Sequence, residues 1–160
     1  EELEHQFVTN LEKHQNIVHK ICSIYTNDQD SHNDLFQEIT IQLWKAYPKF
    51  QGRSKVSTWM YRIGLNTAMA TFRKQKIAFS ELQIQQELAN RSNDVDNDQR
   101  DQLLWAVKQL NEGDLAIVTL YLDDLSYLEI SEIIGIKENY VGVRLNRIKE
   151  KIKKLLIIQP

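Results

Sequence analysis

Two cations and an amide lie at helical spacing in the first half of the chain. Arg62, Asn66 and Arg73 fall close to one stripe of a helix that is predicted to begin near Ser57, and Lys55 comes just before that helix. Arg and Lys side chains bind phosphates, and an amide can hydrogen-bond a base edge. The stripe follows a polar loop that contains a glycine. This combination is typical of a surface that holds single-stranded nucleic acid.

Aromatic and amide side chains next to the stripe can form a pocket for a base. A base drawn out of its stack needs an aromatic wall and an amide edge. Phe50, Gln51 and Asn66 supply these groups, and Thr58 lies close to the stripe itself. Trp59 has two interpretations, because large aromatic side chains are mostly buried and core packing is their default role.

The segment ahead of the loop, DLFQEITIQLWKAY, has an acidic side. Asp34, Gln37, Glu38 and Gln42 surround the polar face of a predicted helix. A solvated face is the simpler interpretation, and a docking surface for another protein is the more specific one.

The second half of the chain contains the strongest local signal, LSYLEISEIIGIKENYVGVRLNRIKEKIKKLL. Ser126 and Glu129 have the spacing of a capping box, which predicts a helix start. Gly135 can adopt the left-handed conformation that ends the helix. A second helix is expected to begin near Glu138 or Asn139. A short helix, a glycine turn and a second helix predict a helix-turn-helix.

The second helix of this motif has two different faces. Its apolar residues share one predicted buried face: Val141, Leu145, Ile148, Ile152 and Leu155. Its other face is small and polar, then basic: Asn139, Gly142, Val143, Asn146, Arg147, Lys149 and Lys151. A recognition helix needs short or polar side chains near base edges and cations near phosphates. A plain helical hairpin with a solvated basic face is the alternative. We favour DNA binding because the cap, the turn and the two-faced helix coincide.

Charge and composition limit the classes of protein that fit. The net charge is only −2, but residues 137–154 hold seven Lys or Arg against two Glu, a local charge of +5. Residues 77–100 instead carry a local charge of −3. Local charge decides where a polyanion binds. The single Cys22, the lack of a long apolar run and the start EELEHQF predict a cytoplasmic protein without an internal disulfide or membrane contact of its own.

Helical periodicity runs through most of the sequence and predicts an all-α fold. Three N-terminal helices are expected: the first with an apolar face, the second capped by Asp30 or Ser31 and ending before Pro48, the third ending near Lys76. The apolar faces are Leu3, Phe7, Leu11, Val18 and Ile21 in the first helix and Leu35, Ile39 and Leu43 in the second.

The periodicity weakens across residues 77–100 and returns at Leu103, Leu104, Val107 and Leu110. The weak stretch is polar, acidic and poor in large apolar residues, so it is predicted to be a flexible linker. The sequence therefore predicts two small helical domains, 1–76 and 101–160, joined by the linker 77–100.

Taken together and in order, these segments resemble a known family. DLFQE, LWKAY, F-x-G, STWMYRI-x-x-N, LSYLEISEIIGI and VRLNRIKEK look like an extracytoplasmic-function (ECF) sigma factor, and the resemblance covers about residues 5–157. It implies a region 2 domain and a region 4 domain, no enzyme activity, no cofactor and no metal. It also implies core RNA polymerase (the β′ clamp helices and the β flap), promoter DNA and an anti-sigma factor as partners.

The resemblance also implies roles for residues. The polymerase-binding positions are Asp34, Leu35, Gln37, Glu38 and Trp44. The minus-ten pocket positions are Ala46, Phe50, Gln51 and Asn66, with residues 52–57 closing over a flipped base. The other minus-ten candidates are Lys55, Thr58, Trp59, Arg62 and Arg73. The minus-thirty-five positions are Val143, Asn146 and Arg147, with Arg144 and Lys149 near phosphates and Asn139 and Tyr140 at the helix start.

The sequence departs from the common family pattern at the recognition helix. Gly142 stands where a cation is usual, and Val143 is apolar, so promoter contacts are expected to differ, with a thymine methyl as one candidate. Asn111 and Gly113 replace a more familiar Pro and acidic residue, and Lys55 replaces a small or apolar one. These departures affect the promoter sequence and leave the class unchanged.

Two other classes of protein compete with this interpretation. The first is a dimeric helix-turn-helix regulator that binds duplex DNA by itself, which the lack of a clear dimerisation heptad disfavours. The second is a metal enzyme or redox sensor that uses His14, His19 and Cys22. It lacks a second Cys and converging acid–base partners.

Overall fold

A computed structural model describes residues 1–79 and 99–158, and all regular elements within these ranges are helices. The all-α prediction is confirmed. In chain order the helices are α1 Glu2–Tyr25, α2 Gln29–Ala46, a 3-10 turn Tyr47–Lys49, α3 Val56–Phe79, α4 Gln99–Lys108, α5 Glu112–Leu122, α6 Tyr127–Ile134 and α7 Glu138–Ile158. Most of the predicted linker lies outside the described residues. None of the helices in the described ranges is long and apolar enough to cross a membrane.

Helices α1 to α3 pack around one apolar core. Val18, Ile21, Ile39 and Leu43 are fully buried, and Leu65 of α3 is nearly so. The predicted stripe of α2 is therefore confirmed. Burying each such side chain stabilises the fold by roughly 1.5–3 kcal/mol before entropy is counted.

The predicted face of α1 is wrong at Leu3, which is 43% exposed. The helix leaves regular geometry at His14, where φ is −116° and ψ is 15°. A single straight stripe therefore does not describe both halves of the helix. Phe7 is the first residue that packs, with its ring centroid 5.0 Å from that of Trp44 and 5.3 Å from that of Tyr47.

The ends of α2 and α3 differ slightly from the prediction. Asp28 caps α2 by accepting a hydrogen bond from the Ser31 amide at 2.8 Å, so neither Asp30 nor Ser31 is the cap. An aspartate at the N-cap position accepts a hydrogen bond from a free amide of the first helical turn, and Asp28 is the residue that occupies this position. Helix α2 does end before Pro48, as predicted. Helix α3 continues past Lys76 to Phe79.

Helices α4 to α7 form a second group around their own apolar residues. Leu115, Ile117, Leu120, Ile130 and Leu145 are buried to within 2% exposure. Of the predicted α4 stripe, Val107 and Leu110 are buried. Leu103 and Leu104, in the middle of α4, are 44% and 47% exposed.

The two groups of helices pack against each other. Helix α3 lies against α5 and α6, and α1 lies against α5. Several hydrogen bonds and ion pairs cross between the groups, and we call this set the interdomain contact. Its members are Lys20 with Asp123, Tyr25 and Arg73 with Glu112, Arg62 with Glu132, and Lys108 with Thr26 and Asn27.

Candidate nucleic-acid interface

Helix α3 presents the predicted basic and amide stripe to the outside. Arg62, Asn66 and Arg73 are all exposed, and Lys55 is exposed just before the helix. Thr58 is different, because it is only 7% exposed and its side chain lies in the core. Of the predicted stripe, the two arginines and the asparagine are therefore exposed and Thr58 is not.

An aromatic cluster lies beside the start of α3. The ring centroids of Phe50 and Trp59 are 4.9 Å apart, and those of Tyr47 and Trp59 are 5.9 Å apart. Tyr47 is buried, whereas Phe50 and Trp59 are half-buried. Trp59 thus combines both interpretations, since it packs in the cluster and keeps part of its ring accessible. Gln51 is exposed next to the cluster.

A groove of about 670 Å³ lies between the end of α1, α2 and α3. Asn66 lines it together with Asp34, Glu38 and Gln42. The lining does not include Phe50 or Gln51. The structure therefore groups Asn66 with the polar face of α2, whereas the predicted pocket groups it with the aromatic residues.

The predicted polymerase-binding residues divide into an exposed set and a buried member. Asp34, Gln37 and Glu38 are exposed and Trp44 is 41% exposed, but Leu35 is only 4% exposed and packs in the core. Sequence reasoning missed a further candidate, Ile41, which is 46% exposed. Ile41 precedes Trp44 by three positions, so the two share a helix face outside the buried stripe. That spacing is the signal that identifies them as an apolar pair on the surface.

The helix-turn-helix forms as the local signals predict. The Glu129 amide donates to Oγ of Ser126 at 3.1 Å, and the Ser126 amide donates to Oε1 of Glu129 at 3.0 Å. The hydrogen bond that the Glu129 carboxylate accepts from the Ser126 amide is the main cause that lowers the pKa of Glu129. Gly135 ends α6 with φ +86°, and α7 begins at Glu138. The capping box, the glycine turn and the second helix are all confirmed.

The outer face of α7 carries most of the predicted duplex-binding residues. Asn139, Tyr140, Val143, Asn146 and Arg147 are exposed. Val143, Tyr140 and Asn139 line a shallow cavity of about 460 Å³ at the turn, together with Gly135, Ile136 and Lys137. Apolar and amide groups thus lie side by side at the start of α7.

Two cations of α7 are engaged with other side chains. Nη1 of Arg147 donates to the Tyr140 hydroxyl at 3.4 Å, which is a long and weak contact. Nζ of Lys149 lies 5.2 Å from the centroid of the Tyr121 ring. Both side chains are exposed.

Arg144 points inward, to a buried acid on α5. Its Nη2 donates to Oδ1 of Asp114 at 2.8 Å, and Nζ of Lys151 donates to Oδ2 of the same carboxylate at 2.9 Å. Asp114 is 4% exposed. Arg144 and Lys151 thus hold α7 against α5. Sequence reasoning missed Asp114, and an acid in the first turn of a helix gives no signal of this contact.

The histidines and the cysteine do not converge on one site. Cys22 is fully buried, and burial raises the pKa of its thiol to about 11, which disfavours the thiolate that zinc requires. Nδ1 of His19 lies 3.1 Å from Nε2 of His32, so His19 is paired with His32. Within the described parts of the chain, no group of three or more His, Cys, Asp or Glu could hold a metal ion.

Comparison with known proteins follows the same division of the chain. The family Sigma-70 region 2 matches residues 11–77, and the family Sigma-70, region 4 matches residues 100–152. The chain is 26% identical to the ECF RNA polymerase sigma factor SigW of Bacillus subtilis, covering 87% of this chain and 82% of that protein. It is 29% identical to the ECF RNA polymerase sigma-E factor of Escherichia coli, covering 84% and 79%.

Solved structures show the same fold. The sigma factor RpoE of Bartonella quintana, solved in complex with the anti-sigma factor NepR, superposes with a TM-score of 0.71 at 16% identity, over 97% of this chain and 99% of that one. CnrH, solved in complex with the cytosolic domain of CnrY, gives a TM-score of 0.70 at 18% identity, over 98% and 91%. The fold and the site define a helical transcription initiation factor rather than an enzyme. The chain belongs to the ECF RNA polymerase sigma factors.

Proposed function

We propose that this chain binds core RNA polymerase, brings it to promoters, opens the minus-ten element and reads the minus-thirty-five element. One observation carries the proposal: a single chain presents both a cationic amide stripe beside an aromatic cluster on α3 and a helix-turn-helix with a polar and basic outer face on α7. The first suits a single strand, and the second suits the duplex major groove.

The polymerase-binding surface is the outer face of α2. Asp34, Gln37 and Glu38 supply acidic and amide groups there, and Ile41 and Trp44 supply an exposed apolar pair. Charge at the rim and apolar groups at the centre are the usual composition of a protein interface. The proposed partner is the β′ clamp helices of polymerase, with the β flap as partner of the C-terminal helices.

At the minus-ten element the two arginines of α3, Arg62 and Arg73, hold the backbone of the non-template strand. A flipped base stacks against Phe50 and Trp59, and Gln51 hydrogen-bonds its polar edge. Asn66 contacts the strand from the groove that it shares with α2. Ala46 and Lys55 flank this region as further candidates: Ala46 is half-buried and Lys55 is exposed.

At the minus-thirty-five element α7 enters the major groove. Val143 and its shallow cavity are positioned for an apolar contact such as a thymine methyl, and Asn146 and Arg147 reach base edges. Asn139 and Tyr140 lie at the start of the helix, and the exposed Lys149 turns from the Tyr121 ring toward a phosphate. Arg144 acts by holding α7 in place, since Asp114 engages its guanidinium.

Regulation and domain limits complete the proposal. RpoE was solved with the anti-sigma factor NepR and CnrH with CnrY, which supports a protein inhibitor for this chain as well.

The proposal also assigns the two domains. Residues 1–76 form the polymerase and minus-ten domain and residues 101–160 the minus-thirty-five domain, joined by 77–100. Action on polymerase places the protein in the bacterial cytoplasm.

Run-off transcription with core polymerase on a library of promoter fragments tests the proposal. We expect initiation to depend on the chain, to fall with Asn66→Ala, and to fall with the pair Asp34→Ala/Glu38→Ala. The matched control is Glu2→Ala/Glu4→Ala, which removes two exposed acids from α1. A chain that never binds polymerase but shifts duplex DNA alone would contradict the proposal and support the dimeric regulator.

A further inference from the structure

We infer that His19 and His32 form a binding site for a divalent late transition-metal ion, in which the two imidazole rings supply two nitrogen ligands and water supplies the others. The chemical class is that of Ni²⁺, Cu²⁺ and Zn²⁺, which imidazole ligands suit. The inference does not depend on the proposed function, because neither histidine belongs to the proposed polymerase or promoter surfaces.

The distance between the two rings fits a single shared ion. Nδ1 of His19, on α1, lies 3.1 Å from Nε2 of His32, on α2. A metal ion binds an imidazole nitrogen at about 2.0–2.1 Å, so two such ligands of one ion lie about 2.9 Å apart at a right angle and about 3.3 Å apart at the tetrahedral angle. The observed separation falls between these two values.

Both facing nitrogens can become ligands at the same time. In a pair of neutral rings they share one proton in a hydrogen bond, and each ring has a second nitrogen that can carry a proton instead. When the donating ring moves its proton to that other nitrogen, both facing nitrogens offer a lone pair and no proton leaves the pair. The pair is exposed, so a turn of each ring directs the two lone pairs to one point in solvent.

The His19 ring is already held in position by a neighbour. It stacks on the Phe36 ring with centroids 4.6 Å apart and planes 26° apart. Phe36 in turn packs against the apolar core, and it shares a face of α2 with His32, four positions earlier. Because the rings are placed before an ion arrives, less side-chain freedom is lost on binding.

Charges near the pair favour a cation but do not complete its coordination. Asp28 caps α2 and Asp30 lies in its first turn, both within about one turn of His32. Lys20, the cation nearest to the pair in sequence, is paired with Asp123. Since the described ranges contain no group of three or more His, Cys, Asp or Glu that could hold a metal ion, the site has two protein ligands. We therefore expect reversible binding with exchangeable water positions.

An ion bound by both rings would join α1 to α2. Its ligands are 13 positions apart in the chain and come from separate helices. Only the folded chain holds them within reach of one ion, so the ion binds the folded state more tightly than the unfolded state. Binding is therefore expected to raise the stability of the fold.

Thermal unfolding of the full chain without an affinity tag, followed by circular dichroism, tests the inference with NiCl₂ as the probe. Isothermal titration calorimetry first gives the Kd for Ni²⁺. At a free Ni²⁺ concentration about tenfold above that Kd, we expect the Tm to rise by about 3 °C. MgCl₂ at the same concentration should leave the Tm unchanged, because Mg²⁺ prefers oxygen ligands.

The chain supplies its own matched control, because it contains four histidines. His19→Gln/His32→Gln should abolish the Tm shift, whereas His5→Gln/His14→Gln makes the same chemical change outside the pair and should keep it. His32→Gln alone leaves the His19 ring on Phe36 and should also abolish the shift. This single variant decides the matter if the double variant proves unfolded in the absence of metal.

Electron paramagnetic resonance with Cu²⁺ adds a signature that a general effect of metal on stability would not give. We expect coupling of the copper electron to two imidazole nitrogens in the wild type and in His5→Gln/His14→Gln, and its loss in His19→Gln/His32→Gln. Three results overturn the inference: a Tm that Ni²⁺ does not raise, a shift that the pair variant retains, or a shift that His5→Gln/His14→Gln loses. A Cu²⁺ spectrum without coupling to two nitrogens would overturn it as well.

Discussion

Removal of the Asp114 carboxylate is expected to destabilise the C-terminal helices. The side chain is 6% exposed and accepts from Arg144 at 2.8 Å and from Lys151 at 2.9 Å. Loss of one partner of a fully buried ion pair costs about 3–5 kcal/mol, and a hydrogen bond to a charged group contributes about 1.5–3 kcal/mol. Because Lys151 is 55% exposed and Arg144 is 25% exposed, water can solvate both when the carboxylate is lost. We therefore expect Asp114→Asn to cost about 2 kcal/mol.

Urea and thermal unfolding followed by helical circular dichroism measure this cost. A loss of about 2 kcal/mol corresponds to a midpoint lower by about 1 M urea and to a Tm lower by about 4–8 °C. The matched control is Asp124→Asn, which makes the same chemical change at an exposed residue whose φ of 61° asparagine tolerates. If Asp114→Asn and Asp124→Asn unfold at the same urea concentration, the carboxylate does not anchor α7 and the reasoning is refuted.

The pH dependence gives an independent check on the same contact. Burial alone would raise the pKa of Asp114, but the hydrogen bonds and charges of Arg144 and Lys151 outweigh burial and lower the pKa below 3.8. A lowered pKa stabilises the folded state above the unfolded pKa, and this contribution is lost as pH falls through the folded pKa. The stability gap between wild type and Asp114→Asn should stay constant from about pH 5 to 8 and narrow below about pH 4. A gap that widens on acidification would contradict this sign.

Three further changes test the packing. Gly64→Ala would place a Cβ 2.8 Å from Cδ1 of the fully buried Ile21. We therefore expect the free energy of unfolding, measured in urea, to fall by about 1–3 kcal/mol. An unchanged midpoint would show that the helices move apart without cost. Gly135→Ala forces φ +86° on a residue with a Cβ, so the free energy of unfolding should fall by about 1 kcal/mol in the same measurement. An unchanged free energy of unfolding would mean that the turn rearranges. Cys22, whose thiol is buried with a pKa raised to about 11, should react with a disulfide reagent only after denaturant is added, and prompt reaction of the native protein would contradict its burial.

Local signals in the sequence were enough to predict the helix-turn-helix. Ser126 and Glu129 cap each other within three positions, and Gly135 ends α6 by its own conformational freedom. The buried face of α7 follows from spacing alone. These features depend on residues a few positions apart, so the sequence contains all the information they need. The order of such segments also suffices to indicate the family.

Helical spacing says which residues share a face, but not how far a neighbouring helix extends along it. For that reason Leu3, Leu103 and Leu104 belong to predicted helical patterns of apolar residues and are nevertheless exposed. Leu3 lies in the first turn of α1, and Leu103 and Leu104 lie in the middle of α4. Only the packed structure contains this boundary.

The chain alone thus determined the all-α class, the positions of most helices, and the residue types that suit a single strand on α3 and a duplex on α7. The tertiary structure decided what those residues touch. Arg144 meets Asp114 from 30 positions away, and Arg62 meets the Glu132 carbonyl from 70 positions away. The physical reason is range: capping and periodicity act over one or two helical turns, whereas these contacts exist only after separate helices have packed and brought distant residues within hydrogen-bond distance.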